Sequence, residues 1–100
     1  MKKYIIVERN ESFKSCLILN ESSTSLGDMW WSCIPYKIDK KELEGIKPKV
    51  FDSRTDAMKY KKVLQSQAND DWRENGYIHK MYGKQKQKWV IEEYKGEIIS

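Results

Sequence analysis

Residues 4–7, Tyr4-Ile5-Ile6-Val7, are apolar at every position, so a strand formed there is hydrophobic on both faces. Residues 13–19 repeat the pattern, with Phe13, Leu17 and Leu19 on one face and Cys16 and Ile18 on the other. Trp30 and Trp31 are adjacent, and on a strand their indoles point to opposite sides of the sheet. Against that doubled demand for cover the chain offers one clear amphipathic helix. Ala57, Tyr60, Leu64 and Ala68 recur at helical spacing as a single apolar stripe. One helix hides one face. The pattern therefore predicts a sheet that curls into a barrel-like shape, or one whose second face meets another chain, a second copy of this one included.

The elements follow from local signals. Residues 3–9 are β-branched and aromatic and read as a first strand, residues 13–19 as its hairpin partner after a turn at 10–12. A polar loop over 20–28 closes on Gly27-Asp28, and residues 29–38 form a third strand in which Pro35 argues for a sheet edge or a bulge. Residues 39–49 are a charged connector, with room for one helical turn over 40–43 before Gly45 and Pro48. Ser53 is the N-cap of a helix expected over 54–68, with Asp56 three residues on as in a capping box. Residues 77–82, Gly83 and residues 84–94 read as a closing hairpin. The expectation is a single α+β domain over residues 1–100. Its antiparallel sheet has about four to five strands with one principal helix packed on it, in the order ββ(β)-α-ββ.

At 39% hydrophobic and 34% charged, with four Trp, the composition is that of a folded domain with a heavily charged surface. No apolar run approaches the roughly 20 residues that span a bilayer, and the apolar run after Lys2-Lys3 stops at Glu8, too short for a signal peptide. A cytoplasmic protein with no membrane contact is expected. Cys16 and Cys33 lack the clustered partners of a zinc site and read as reduced, buried thiols, with a disulfide as the alternative. No cofactor is expected.

The formal net charge of +4 resides in one window. Residues 75–91 hold Lys80, Lys84, Lys86 and Lys88 and no acid, while the remaining fifteen bases and fifteen acids cancel. On a strand Lys84, Lys86 and Lys88 would share one face, a row suited to phosphates or to an acidic protein surface. Tyr77 and Tyr82 lie close by and, as aromatics interleaved with bases, suit stacking against single-stranded nucleic acid. The plainer use of such lysines is to guard a sheet edge against unwanted pairing. Arg54, Lys61 and Lys62 add positive charge to the non-apolar side of the helix. Of Trp30 and Trp31, one is expected in the core and the other, beside Met29, as an anchor at a protein interface.

Catalytic patterns are thin. The single histidine, His79, has no motif around it, and the five glycines are isolated. Glu93-Tyr94-Lys95 fits the Glu-x-Lys element of metal-dependent nucleases, with Asp52, Asp70 or Asp71 as second carboxylate, but Asp39-Lys40-Lys41 fits it as well. The chain is read as non-enzymatic, without a metal site.

At Phe51-Asp52-Ser53-Arg54-Thr55-Asp56-Ala57 and at Trp89-Val90-Ile91-Glu92 the chain resembles small accessory proteins of phages and mobile elements. The resemblance implies a factor that acts by occupying a surface, such as an inhibitor of a host defence or nucleic-acid-handling system. It carries over no functional residue. The expected function is stoichiometric binding of a partner protein through Met29, Trp30 and Trp31, steered by the lysines. The alternative is a small nucleic-acid-binding module built on Lys80, Lys84, Lys86 and Lys88 with Tyr77 and Tyr82.

Overall fold

The computed structural model describes residues 2–10, 14–35 and 46–96. Its elements are β1 (Lys3–Asn10), β2 (Ser15–Leu19), β3 (Trp31–Pro35), α1 (Arg54–Met81) and β4 (Trp89–Tyr94). The four strands form one antiparallel sheet in the order β3-β2-β1-β4, with the helix packed on it. The α+β class holds, in the order βββ-α-β. Pro35 ends an edge strand, where its missing N–H costs no ladder bond. The expected turn at 10–12 and helical turn at 40–43 lie in whole or part outside the described residues, as do Phe13 and residues 36–38.

Register sorts the doubly apolar strands onto two faces. Ile6 pairs with Ile91, and Leu19 with Trp31, on the helix side. There Ile6, Leu19, Phe51, Ala57, Leu64, Ala68 and Trp89 form one buried cluster. Val7 pairs with both Ile18 and Val90 on the opposite side. On that side Ile5, Val7, Cys16, Ile18 and Ile34 form a second buried cluster, with Ile46, Val90 and Tyr94 against it. The second face is therefore already buried within one chain, and the sheet stays open with β3 and β4 as its edges. The segment that supplies Ile46 to this face continues around the end of the sheet. Lys49 donates to the Leu19 carbonyl, Tyr4 and Phe51 exchange backbone bonds of 2.9 and 2.8 Å, and Phe51 enters the opposite cluster.

The helix starts as its sequence indicates: the Ser53 Oγ accepts from the Asp56 N–H at 3.1 Å. It does not stop at residue 68, as the stripe suggests, but runs to Met81. Residues 77–82, expected as a strand, are helical or capping in consequence. The stripe in fact continues by steps of three and four through Asp71, Asn75, Ile78 and Tyr82, and two polar positions disguise it. Local pairs hold this stretch: Arg73 with Asp70 at 2.6 Å, Asn75 with Asp71 at 3.1 Å, and His79 with Asp71 at 2.8 Å. Asp70 and Asp71 thus sit inside the helix rather than beyond its end. Gly76 is buried beneath the Trp72 ring, where an added Cβ would lie 3.4 Å from the indole. Gly83, with φ +71°, is the left-handed residue of a Schellman cap. Its N–H reaches the Lys80 carbonyl at 3.0 Å and the Lys84 N–H reaches that of His79 at 2.8 Å. The glycine read as a hairpin turn ends a helix instead.

Beyond the cap the chain turns back along the helix. Gln65 fixes its return: Nε2 donates to the Gln87 carbonyl at 3.1 Å, and Oε1 accepts from the Trp89 N–H at 2.8 Å. From Met81 back to Gln65 the helix covers about 24 Å. The eight steps from Met81 to Trp89 reach at most roughly 29 Å, and the first two of them are spent in the helix cap. Residues 84–88 are accordingly a taut strap, without the strand ladder expected for them, and β4 begins only at Trp89.

Candidate functional site

Strap and helix between them redistribute the lysines that the sequence places in a row. Lys80 lies over the Trp72 ring, 5.6 Å from its centroid. Lys84 and Gln85 border a cavity on one side of the strap, beside Asp71 and His79. Lys86 and Lys88 border a groove on the other side, and Gln87 reaches both. Lys84 still belongs to the helix cap, through its N–H to the His79 carbonyl, whereas Lys86 and Lys88 lie on the extended strap and share one side of it.

The groove is the larger opening, about 530 Å³, between the first half of α1 and the start of β4. Arg54 and Lys61 from the helix face Lys86 and Lys88 across it, over a floor that includes Met58, Trp89, Val90 and Ile91. No acid lines it, and none of these four cations has an ion-pair partner among the described residues. Arg54 also borders a neighbouring depression with Lys59 and Lys62. The helical basic residues and half of the lysine row thus converge, which their separation in sequence concealed. Trp89, at the floor, is a core residue and offers no stacking face.

A second surface lies at the far end of the helix. Twenty-eight residues make a helix of about 42 Å, whereas the eight-residue β1 spans about 27 Å. Past Ala68 the helix has only Gly76 buried, and its last turns present Tyr77, Ile78, Met81 and Tyr82 to solvent. Met81 is 80% and Tyr82 72% exposed. Ile78 and Tyr82 continue the core-facing stripe, and Tyr77 and Met81 flank it at helical spacing. Tyr77 and Tyr82 therefore belong to an apolar helix end, with Lys80 and Lys84 beside it, rather than to a strand.

Met29, Trp30 and Trp31 follow the polar loop. Met29 packs against the helix-side cluster. Trp31 is half-exposed, and its ring meets Trp89 edge-on with centroids 5.9 Å apart, a contact worth about 0.5–1.5 kcal/mol beyond area. Trp30 is 63% exposed, on backbone that is well held. Its N–H donates to the buried Ser23 Oγ at 2.8 Å, and its carbonyl accepts from the Asn20 N–H at 2.8 Å and from the Ser23 hydroxyl at 3.1 Å. Neither indole is in the core, where one of the pair is expected: Trp31 stays exposed, as Trp30 does, because its ring meets Trp89 only edge-on at the sheet's edge strand.

The remaining candidates are dispersed. His79 stacks on Trp72 with the planes 7° apart. Asp71 accepts from Asn75 and His79, and those bonds, Asn75 first, hold its carboxyl below the usual carboxylate range. Glu93 is exposed on β4, Asp52 pairs with Lys3 at the opposite end of the chain, and Asp70 pairs with Arg73. Among the described residues no three His, Cys, Asp or Glu side chains group as metal ligands would. Cys16 and Cys33 are both free thiols. Burial pushes the Cys16 thiol up to about 11, whereas Cys33, expected to be buried, is exposed on the edge strand. No helix among the described residues is long and apolar enough to cross a membrane. The chain matches no protein-family model, no curated protein and no solved structure with which it was compared.

Proposed function

We propose that this chain is a non-enzymatic interaction protein that binds one partner protein stoichiometrically, through the apolar end of α1. The observation that carries the reading is the exposure of Tyr77, Ile78, Met81 and Tyr82 together on two helical turns. A preformed helix loses little backbone entropy on docking, and an amphipathic helix end fits an apolar groove. Lys80 and Lys84 beside them favour a groove rimmed by carboxylates. Trp30 is a second candidate anchor, for the same reason of a bulky ring on tethered backbone. The resemblance to phage and mobile-element accessory proteins extends the proposal to inhibition of a host system by occupying its surface.

A second reading, binding of a nucleic-acid backbone, is favoured by the four cations of the groove, which have no ion-pair partner among the described residues. One experiment separates the two. Tagged parent protein, a Tyr77→Ala/Met81→Asp variant, a Trp30→Ala variant and a Lys86→Glu/Lys88→Glu variant are each used to capture partners from bacterial lysate, with and without nuclease. A nuclease-resistant protein held at unit stoichiometry by the parent and weakened at least tenfold by the helix-end variant is the expected result. If the helix-end variant retains that protein undiminished, the docking surface is wrong. Nucleic acid retained by the parent and lost only with the groove variant moves the function to the second reading.

A further inference from the structure

On the helix side of the sheet, several positions that patterning assigns to the core carry polar groups instead. β1 alternates Tyr4, Ile6 and then Glu8, and β2 runs Leu19, Leu17 and then Ser15. The α1 stripe turns from Leu64 and Ala68 to Asp71. These substitutions meet in space. Glu8, Asn10 and Ser15 from the sheet face Asp71, Trp72 and His79 from the helix around a cavity of about 320 Å³, with Leu17 and Ala68 as apolar wall and Lys84 on the strap. The cavity lies across the strap from the basic groove, with Gln87 shared between them, and none of Tyr77, Ile78, Met81 and Tyr82 lines it.

Glu8 is the group that calls for an account. Only 4% of the residue is exposed, between Leu17 and Trp89 on the neighbouring strands, and it has no hydrogen-bond or ion-pair partner among the described residues. Buried carboxylates are ordinarily paired, because removing one from water without a partner is costly. No sealed side-chain oxygen or nitrogen among the described residues lacks a partner, so the Glu8 carboxylate opens onto the cavity it lines. Asp71, on the opposite wall, has its own bonds to Asn75 and His79. The unmet need is for a donor that reaches Glu8 from the cavity. A planar cation with paired N–H groups meets a carboxylate through two parallel bonds, a geometry that a compact ammonium lacks. Lys84 is the opposing charge on the cavity wall, and it is solvent-exposed.

We infer that the cavity between Glu8 and the Asp71–Trp72–His79 face of α1 binds a guanidinium group, with Glu8 as its bidentate acceptor. The cavity, at about 320 Å³, has room for an arginine side chain and lies at the low end for a small-ligand site. The inference stands independently of the helix-end reading, since Tyr77, Ile78, Met81 and Tyr82 do not line the cavity.

The test is an NMR titration of the parent protein and of Glu8→Gln with methylguanidinium chloride, sodium chloride holding ionic strength constant. Saturable shifts of the Glu8 carboxyl carbon and the Trp72 indole N–H, weakened at least tenfold in Glu8→Gln, are expected. Linear shifts, or equal saturation in the variant, would overturn the assignment. Equal binding of butylammonium would also overturn it, since an ammonium has no planar fork. A folded Glu8→Gln amide spectrum validates the comparison, and Asp71→Asn, with an expected smaller loss, gives a second reading should Glu8→Gln not fold. Two arms identify the source. Free arginine binding better than a capped Gly-Arg-Gly peptide points to a small molecule, and the reverse order to an arginine of a partner protein.

Discussion

Glu8 also makes the molecule sensitive to pH, and the sign follows from its surroundings. Burial raises its carboxyl above the ordinary value of 4.5. The folded state then holds this proton more tightly than the unfolded chain does. The stabilisation from protonation is complete below 4.5 and is lost as pH rises through the raised folded value. Glu8→Gln keeps the shape and removes the charge. At neutral pH it is expected to be more stable than the parent by about 1 kcal/mol. The gap should close as pH falls toward 4.5, as urea unfolding of both proteins across that range would reveal. A gap independent of pH would mean that the Glu8 carboxylate is compensated after all. Nothing in the local sequence marks Glu8 as buried, because a glutamate ending an apolar run reads as the exit to solvent. Its burial depends on Trp89, which is eighty-one positions away in sequence and beside it in the sheet.

At the scale of elements, the second half of α1 and the strap after it explain one another. Gln65 is polar at a helix position near the core, and its amide replaces a missing strand partner by accepting from Trp89 and donating to Gln87. Gln65→Leu removes both bonds and leaves the Trp89 N–H without its acceptor. A loss of about 1–3 kcal/mol is expected, the cost of an unsatisfied buried donor. Amide exchange should accelerate at Trp89, while the Ala57–Leu64 part of the helix stays protected. Unchanged exchange at Trp89 would show that the strap is held by other contacts. The first half of the helix was legible because Ser53, Asp56 and the stripe through Ala68 agree. The second half was not, because Asp71 and Asn75 break the apolar count, Asp71 where it faces Glu8, Asn10 and Ser15 across the cavity. Period-two lysines in 84–88 imitate a strand, since an extended strap and a strand share their local geometry and differ only in whether a neighbour pairs with them.

For the whole molecule, the question raised by the doubly apolar strands has an answer inside one chain. Ile18 is fully buried on the face away from the helix, in a cluster with Ile5, Val7, Cys16 and Ile34. Ile18→Ala is therefore expected to cost about 2–5 kcal/mol, as a core truncation does. The loss should not vary with protein concentration. A midpoint that rises with concentration in chemical unfolding would mean that a second copy completes this core.

The sequence by itself determined the α+β class, the N-cap and first half of the helix, a restriction of the Pro35 strand to an edge or a bulge, and the need to cover two sheet faces. Each of these rests on neighbours within a few residues, where backbone sterics and hydrophobic period act directly. Only the tertiary structure decided that the helix outruns the sheet, leaving Tyr77, Ile78, Met81 and Tyr82 uncovered. It also decided that Lys86 and Lys88 join Arg54 and Lys61, and that Glu8 faces Asp71 across a cavity. Those outcomes depend on where a taut strap returns the chain and on which strand β4 pairs with, and long-range pairing leaves no local mark in the order of residues.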